Sequence, residues 1–220
     1  MTPRRILVRR WGQLMLGLFL YGVAVGLLVR ADVGLDPWTV FAQGLEVQTG
    51  WSLGLISVLI GAIVLLLWIP IRQRPGIGTV LNVLVIGVVL DLTLLVVETR
   101  EPLWLQWFMF AVGLSLLALA TGLYLGARFG PGPRDGLMTG LNARFGWTIW
   151  KVRAGVEITV LTVGWLLGGT VGLGTLAFVL LIGPMVGWAL PRLRVPESAA
   201  PLALPSDAPP EPPFASSPAA

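Results

Sequence analysis

Long apolar runs alternate with short polar, glycine- and arginine-bearing segments along most of the chain. A helix that crosses a bilayer needs about 20 mostly apolar residues, and six stretches meet or approach that length. Span 1 runs from Trp11 to Val29 without a charge, and span 2 from about Trp51 to Ile71. Span 3, about Ile77 to Val97, contains Asp91, and span 4 covers about Leu103 to Ala127. Lys151–Gly168 and Leu173–Leu190 form spans 5 and 6, separated at Gly168-Gly169-Thr170-Val171-Gly172, a turn signal. The run in span 1 exceeds a typical signal-peptide core, and no small-residue cleavage site closes it.

Two shorter patterns lie between spans. Asp36-Pro37 reads as an N-cap followed by proline at the first helical position, opening a helix over 36–47 that is too short to span. Thr39, Gln43 and Glu46 share one face of it. The equivalent segment, 135–145, follows Gly130-Pro131-Gly132-Pro133, with Asp135 as its expected N-cap and Thr139 and Asn142 on the same face. Two arrangements fit both segments: an amphipathic helix flat on the interface, or a half-helix dipping into the bundle to line a polar cavity. In the second arrangement, helix N-termini and Arg134 would present positive charge to a ligand.

The halves also resemble each other. Gly22 and Gly26 recur as Gly122 and Gly126, Gly50-Trp51 as Gly146-Trp147, and GTVLNVLVIG from Gly78 as GTLAFVLLIG from Gly174. Three spans per half is odd, so the second copy must enter from the opposite face. The expected fold is therefore an all-α membrane protein of six transmembrane helices, arranged as two inverted three-helix repeats (11–97 and 103–190), each with a short half-helix between its first and second spans. The basic N-terminus occupies 1–10, and a Pro/Ala-rich tail, 195–220, is expected to be disordered.

Composition supports a lipid environment: 55% of residues are hydrophobic and 12% charged, with mean hydropathy +0.84, against about 25% charged in soluble domains. The net charge of +4 reads as a topology signal rather than a nucleic-acid footprint. Arg4, Arg5, Arg9 and Arg10, Arg72 and Arg74, Arg128 to Arg153, and Arg192 and Arg194 all fall on one side of a six-span arrangement. Only Arg30 and Arg100 fall on the other, beside Asp32, Asp36, Glu46, Glu98 and Glu101. The positive-inside rule then places both termini in the cytoplasm.

Cysteine and histidine are absent, which removes disulfides, thiolate nucleophiles, histidine bases and Cys/His metal sites. No cofactor, metal or catalytic constellation is expected, and an enzyme is not. Chemistry falls to carboxylates, guanidiniums, hydroxyls and amides. A carboxylate inside the bilayer is costly unless paired, hydrated or protonated, so Asp91 and Glu157 are candidates. Arg153, four residues before Glu157, shares its helix face. Asp91 has no local partner, and Asn82, on roughly the opposite side, reads as interhelical packing. The Gly-x-x-x-Gly spacings read as close helix contacts, and Trp11, Trp51, Trp68, Trp104, Trp107, Trp147, Trp150 and Trp188 as interfacial belts. The candidate substrate or coupling set is Asp36, Thr39, Gln43, Asp91, Arg134, Asp135, Thr139, Asn142, Arg153 and Glu157.

The run GLDPWTVFAQGL, then TGWSLG, GTVLN with the Asp91 segment, GPGPRDGLMTGL, KVRAGVE, LGGTVGLGT and IGP resembles the YczE-type bacterial membrane proteins of the YyaS/YitT-like set, over about residues 11–190. That resemblance implies a multi-spanning inner-membrane protein of transporter-like architecture and no assigned substrate. The expected function is a small secondary transporter or exporter of an unknown small solute. The alternative is a non-transporting accessory or regulatory protein with a membrane-protein partner, and self-association fits either.

Overall fold

The computed structural model describes residues 3–98 and 102–195; Arg100, Glu101 and the tail from 196 lie outside them. The described chain is all-α, with eight helices. They are α1 (Pro3–Ala31), α2 (Pro37–Thr49), α3 (Leu53–Leu66), α4 (Ile77–Val96), α5 (Leu103–Gly126), α6 (Pro133–Phe145), α7 (Ile149–Leu166) and α8 (Leu173–Leu193). By length and apolarity, α1, α4, α5 and α8 can each cross a membrane, and a fifth span results if α2 and α3, which meet at a 117° bend, count together.

Two expected spans differ in detail. Span 2 is helical only through Leu66, about 21 Å at 1.5 Å per residue. Pro70 disfavours helix at the residue before it, and the chain turns so that the Trp68 indole donates to the Pro133 carbonyl at 3.0 Å. Trp68 is accordingly 1% exposed, a core residue rather than part of an interfacial belt. Span 5 corresponds to α7, whose 18 residues carry Lys151, Arg153 and Glu157. At the N-terminus, the basic stretch expected as a separate segment is helical from Pro3 and continuous with span 1.

The centre is an antiparallel pair. Gly17 of α1 lies against Ala120, Leu123 and Tyr124 of α5, and Gly113 of α5 lies against Ala24 and Leu28 of α1. A side chain at Gly17 would collide with the Tyr124 backbone, and one at Gly113 would crowd Leu28 and the Ala24 carbonyl, so these helices approach as small residues allow. Around this pair, α1 packs on α4, α5 on α8, α2 on α7, and α3 on both α4 and α6. The apolar core runs through Ala24, Leu28, Trp38, Leu53, Leu90, Phe110 and Leu114.

Local features recur 96 positions apart. Helices begin at Pro37 and Pro133, Leu53 and Ile149, and Ile77 and Leu173. Left-handed residues come in the same pairs: Asp32 (φ 53°) with Arg128 (58°), Gly34 (125°) with Gly130 (120°), and Gly50 (74°) with Gly146 (69°). The Gly78 amide donates to Phe129 O at 2.9 Å, and the Gly174 amide to Val33 O at 2.8 Å.

Candidate functional site

The two short helices do not lie flat over their whole length. Pro37, Trp38, Thr39 and Val40 at the start of α2 are buried, whereas Val47, Gln48 and Thr49 at its end are exposed. In α6, Pro133, Gly136, Leu137 and Met138 are buried and Ala143 to Phe145 are exposed. Their N-terminal tips are thus buried among the other helices, and there they meet. The Asp36 carboxylate accepts from the amides of Trp38 and Thr39, both at 3.2 Å, which caps α2. The same Oδ1 lies 3.4 Å from Arg134 Nη1 of α6. The Arg134 guanidinium also sits 4.9 Å from the centre of the Trp38 ring, a cation–π geometry.

Asp36 is the N-cap expected from Asp-Pro. Asp135 is not. α6 begins at Pro133 with Gly132 in the cap position and no capping side chain, because proline is already suited to the first helical position and its missing N–H costs nothing there. Asp135 is the third helical residue, and its carboxylate is freed to face inward, where the Tyr124 hydroxyl donates to it at 3.5 Å.

These tips border a cavity of about 680 Å³. Its charged lining is Asp36, Arg134 and Asp135 from the tips, with Arg153 and Glu157 from α7. Arg153 Nε donates to Glu157 Oε1 at 2.9 Å, the expected i,i+4 pair, now seen to belong to the cavity wall. Burial raises the Asp135 carboxyl above its ordinary range, opposed by the nearby charges of Arg153 and Arg134 and by the Tyr124 hydrogen bond. Tyr21, Tyr124, Trp38 and Phe178 supply aromatic wall, and Ile60, Leu117 and Ile182 aliphatic wall.

Sequence reasoning passed over Tyr21 and Tyr124. They are the only two tyrosines in the chain, and both line this cavity with ring centres 6.1 Å apart; their rarity was the available signal. Asn82, expected in packing, also lines it.

The other candidates part company. Asp91 and Gln43 border a second pocket with Glu46, Arg30 and Ser52, at the opposite end of α3 and α4. Asp91 Oδ2 accepts from Ser52 Oγ at 2.6 Å and Oδ1 from the Gly54 amide at 2.7 Å, so it caps α3 from a neighbouring helix. Gln43 Oε1 accepts from the Thr170 amide at 2.7 Å, which ties α2 to the α7–α8 turn. Thr39 is buried beside the Asp36 cap. The Thr139 hydroxyl donates within its own helix, and the Asn142 amide donates to Trp147 O at 2.6 Å, closing the end of α6. Those three threonine and asparagine side chains line neither space. No cluster suited to a metal ion occurs among the described residues.

The model of one protein family, described as a family of unknown function, DUF6198, matches residues 8–191. The chain belongs to that family. It is 41% identical over 177 residues to an uncharacterized protein of Haemophilus influenzae, covering 80% of this chain and 81% of the relative. It is 32% identical over 188 residues to the uncharacterized membrane protein YczE of Bacillus subtilis, covering 84% and 87%. The uncharacterized protein YyaS of the same bacterium is 27% identical over 180 residues, covering 80% and 90%. The YczE-type resemblance of the sequence is therefore a family relationship, and one of these relatives is described as a membrane protein. No solved structure gives a significant match.

Proposed function

We propose that this DUF6198 protein is a small secondary transporter whose solute binds between two inverted halves. The observation that carries the reading is the meeting of the α2 and α6 tips, through Asp36 and Arg134, at a charged cavity of about 680 Å³ among apolar helices. Charges at such depth are costly and persist where they serve a pathway. A volume of this size falls within the range of small-molecule sites.

Six spans fit this reading: the four long apolar helices, α3 completed by the bend from α2, and α7. In α7 the excess charge is explained by Arg153 and Glu157 facing the cavity and each other. The 96-residue recurrence of helix starts and left-handed residues supports a duplicated unit. The antiparallel α1–α5 pair supports its inversion, because Gly17 against Ala120 O becomes Gly113 against Ala24 O under the same shift. In that register Gly26 corresponds to Gly122, one helical turn from the pairing first suggested by Gly-x-x-x-Gly. The cavity lies toward the arginine-rich ends of the helices, which the positive-inside rule assigns to the cytoplasm.

The test is reconstitution. Proteoliposomes with an entrapped pH indicator are challenged with amines, amino acids, organic acids and sugars. At least one class should change the internal pH or enter by counterflow, and Arg134→Ala should abolish it. If no class moves while a second membrane protein copurifies stoichiometrically, the accessory role replaces this one.

A further inference from the structure

We infer that the cavity takes an organic cation carrying an apolar body, and that Asp135 holds either that cation or a proton, never both. This rests on the transporter reading and names its substrate class. The first argument is charge balance. Three carboxylates and two guanidiniums line the cavity. Each guanidinium is committed to a carboxylate: Arg134 to Asp36 at 3.4 Å, and Arg153 to Glu157 at 2.9 Å. Asp135 is the acid left over. Its hydrogen-bond partner is the Tyr124 hydroxyl at 3.5 Å, the long limit of such a bond. A carboxylate so placed is satisfied by a cation or by protonation.

The second argument is the wall. Tyr124 and Tyr21 stand together beside Asp135, Phe178 adds further aromatic surface while Trp38 is engaged by Arg134, and Ile60, Val64, Ile86, Leu117 and Ile182 give aliphatic wall. Aromatic faces attract a cation, and most strongly where water is excluded. They attract an anion far less, and Asp135 itself repels one. A bare inorganic cation would leave most of the apolar wall without a partner, whereas an ammonium or phosphonium bearing hydrocarbon or aryl groups fills both kinds of surface. The α6 N-terminus and Arg134 oppose a cation, but Asp36 lies against Arg134 and balances it.

Exchange follows from the shared carboxylate. As the cation enters, the proton on Asp135 leaves to water; as the cation departs, a proton returns. The groups facing Asp135 are Tyr21 of α1, Asp36 at the start of α2, Tyr124 of α5, Arg134 of α6, and Arg153 and Glu157 of α7. The lining from α3, α4 and α8 contributes no ionisable side chain.

The probe is tetraphenylphosphonium, with neutral triphenylphosphine oxide as control, titrated calorimetrically into the purified full chain in two buffers of different ionisation enthalpy. The cation should bind with release of up to one proton, more weakly as pH falls, and the neutral control should not. Asp135→Asn should lower affinity about tenfold or more and abolish the proton release, while Asp135→Glu restores part of both. Tyr124→Phe should retain cation binding and shift its pH midpoint upward, because a donor to the carboxylate is removed. Variants are compared only as monodisperse peaks with wild-type melting. Equal binding by Asp135→Asn, or binding without proton release, overturns the inference. So does flux of an organic acid or sugar, without any of a cation, in the reconstitution described above, an outcome that leaves the transporter reading standing. Absence of all flux fells both.

Discussion

Asp91 holds the start of α3 from across a helix interface, with Ser52 Oγ and the Gly54 amide as its donors. An N-cap usually comes from the residue beside the helix; here Ser52 caps Leu55 at 3.3 Å, and Asp91 in turn holds Ser52. Asp91→Ala should cost about 1–2 kcal/mol, in the range of a lost cap or charge-assisted bond. Asp91→Asn keeps an acceptor and should cost less. Equilibrium unfolding in mixed micelles measures both, and an alanine variant as stable as wild type would deny the cap. Asp36 bears a comparable load, since its carboxylate caps α2 and meets Arg134. Asp36→Ala should lower stability by about 1–2 kcal/mol by the same measurement, and Asp36→Asn by less, because an amide oxygen still caps.

At the scale of elements, equivalent helix pairs pack differently. α3 and α4 are in close contact, and a side chain at Gly87 would fall 2.6 Å from Gly54 O. α7 and α8 both line the cavity, and nothing lies within 4 Å of a side chain placed at Gly183 or Gly187. Gly183 stands 96 positions after Gly87, so the same substitution should have opposite effects in the two places. Gly87→Ala should destabilise by about 1–3 kcal/mol through overpacking. Gly183→Ala should be neutral or stabilising by up to about 1 kcal/mol, because alanine is the better helix former. Matched unfolding curves decide this, and equal losses at both sites would mean that α7 and α8 are as tightly closed as α3 and α4.

For the whole molecule, one closed and one open pair of helices 96 positions apart is the asymmetry that the proposed alternation of inverted halves calls for. The chain has no cysteine, so single cysteines report sidedness without background. Gln48→Cys, at the exposed end of α2, and Ala143→Cys, at the exposed end of α6, should label from opposite faces in intact cells. A membrane-impermeant maleimide should reach position 48 from outside, and position 143 only after permeabilisation. Labelling of both from the same face would remove the inverted arrangement.

Much of this was legible in the chain. Apolar runs of spanning length, the Asp36-Pro37 helix start, the Arg153–Glu157 spacing and the glycines at Gly50 and Gly146 depend on local geometry and on burial from water, which sequence encodes directly. The extent of α6 was less so: proline at the first helical position outweighed an acidic residue two positions later as the start signal. What only tertiary structure decided was company. Asp36 and Arg134 lie 98 residues apart, and neither spacing nor composition says that two helix tips meet. The same holds for Asp91, whose partners lie 37 and 39 residues earlier, and for the two tyrosines, which face each other only because α1 and α5 cross at glycines. Sequence determined that charges would fall within and beside the apolar runs; packing determined which of them pair at contact distance, and left Asp135 with the Tyr124 hydroxyl and the more distant charges of Arg153 and Arg134.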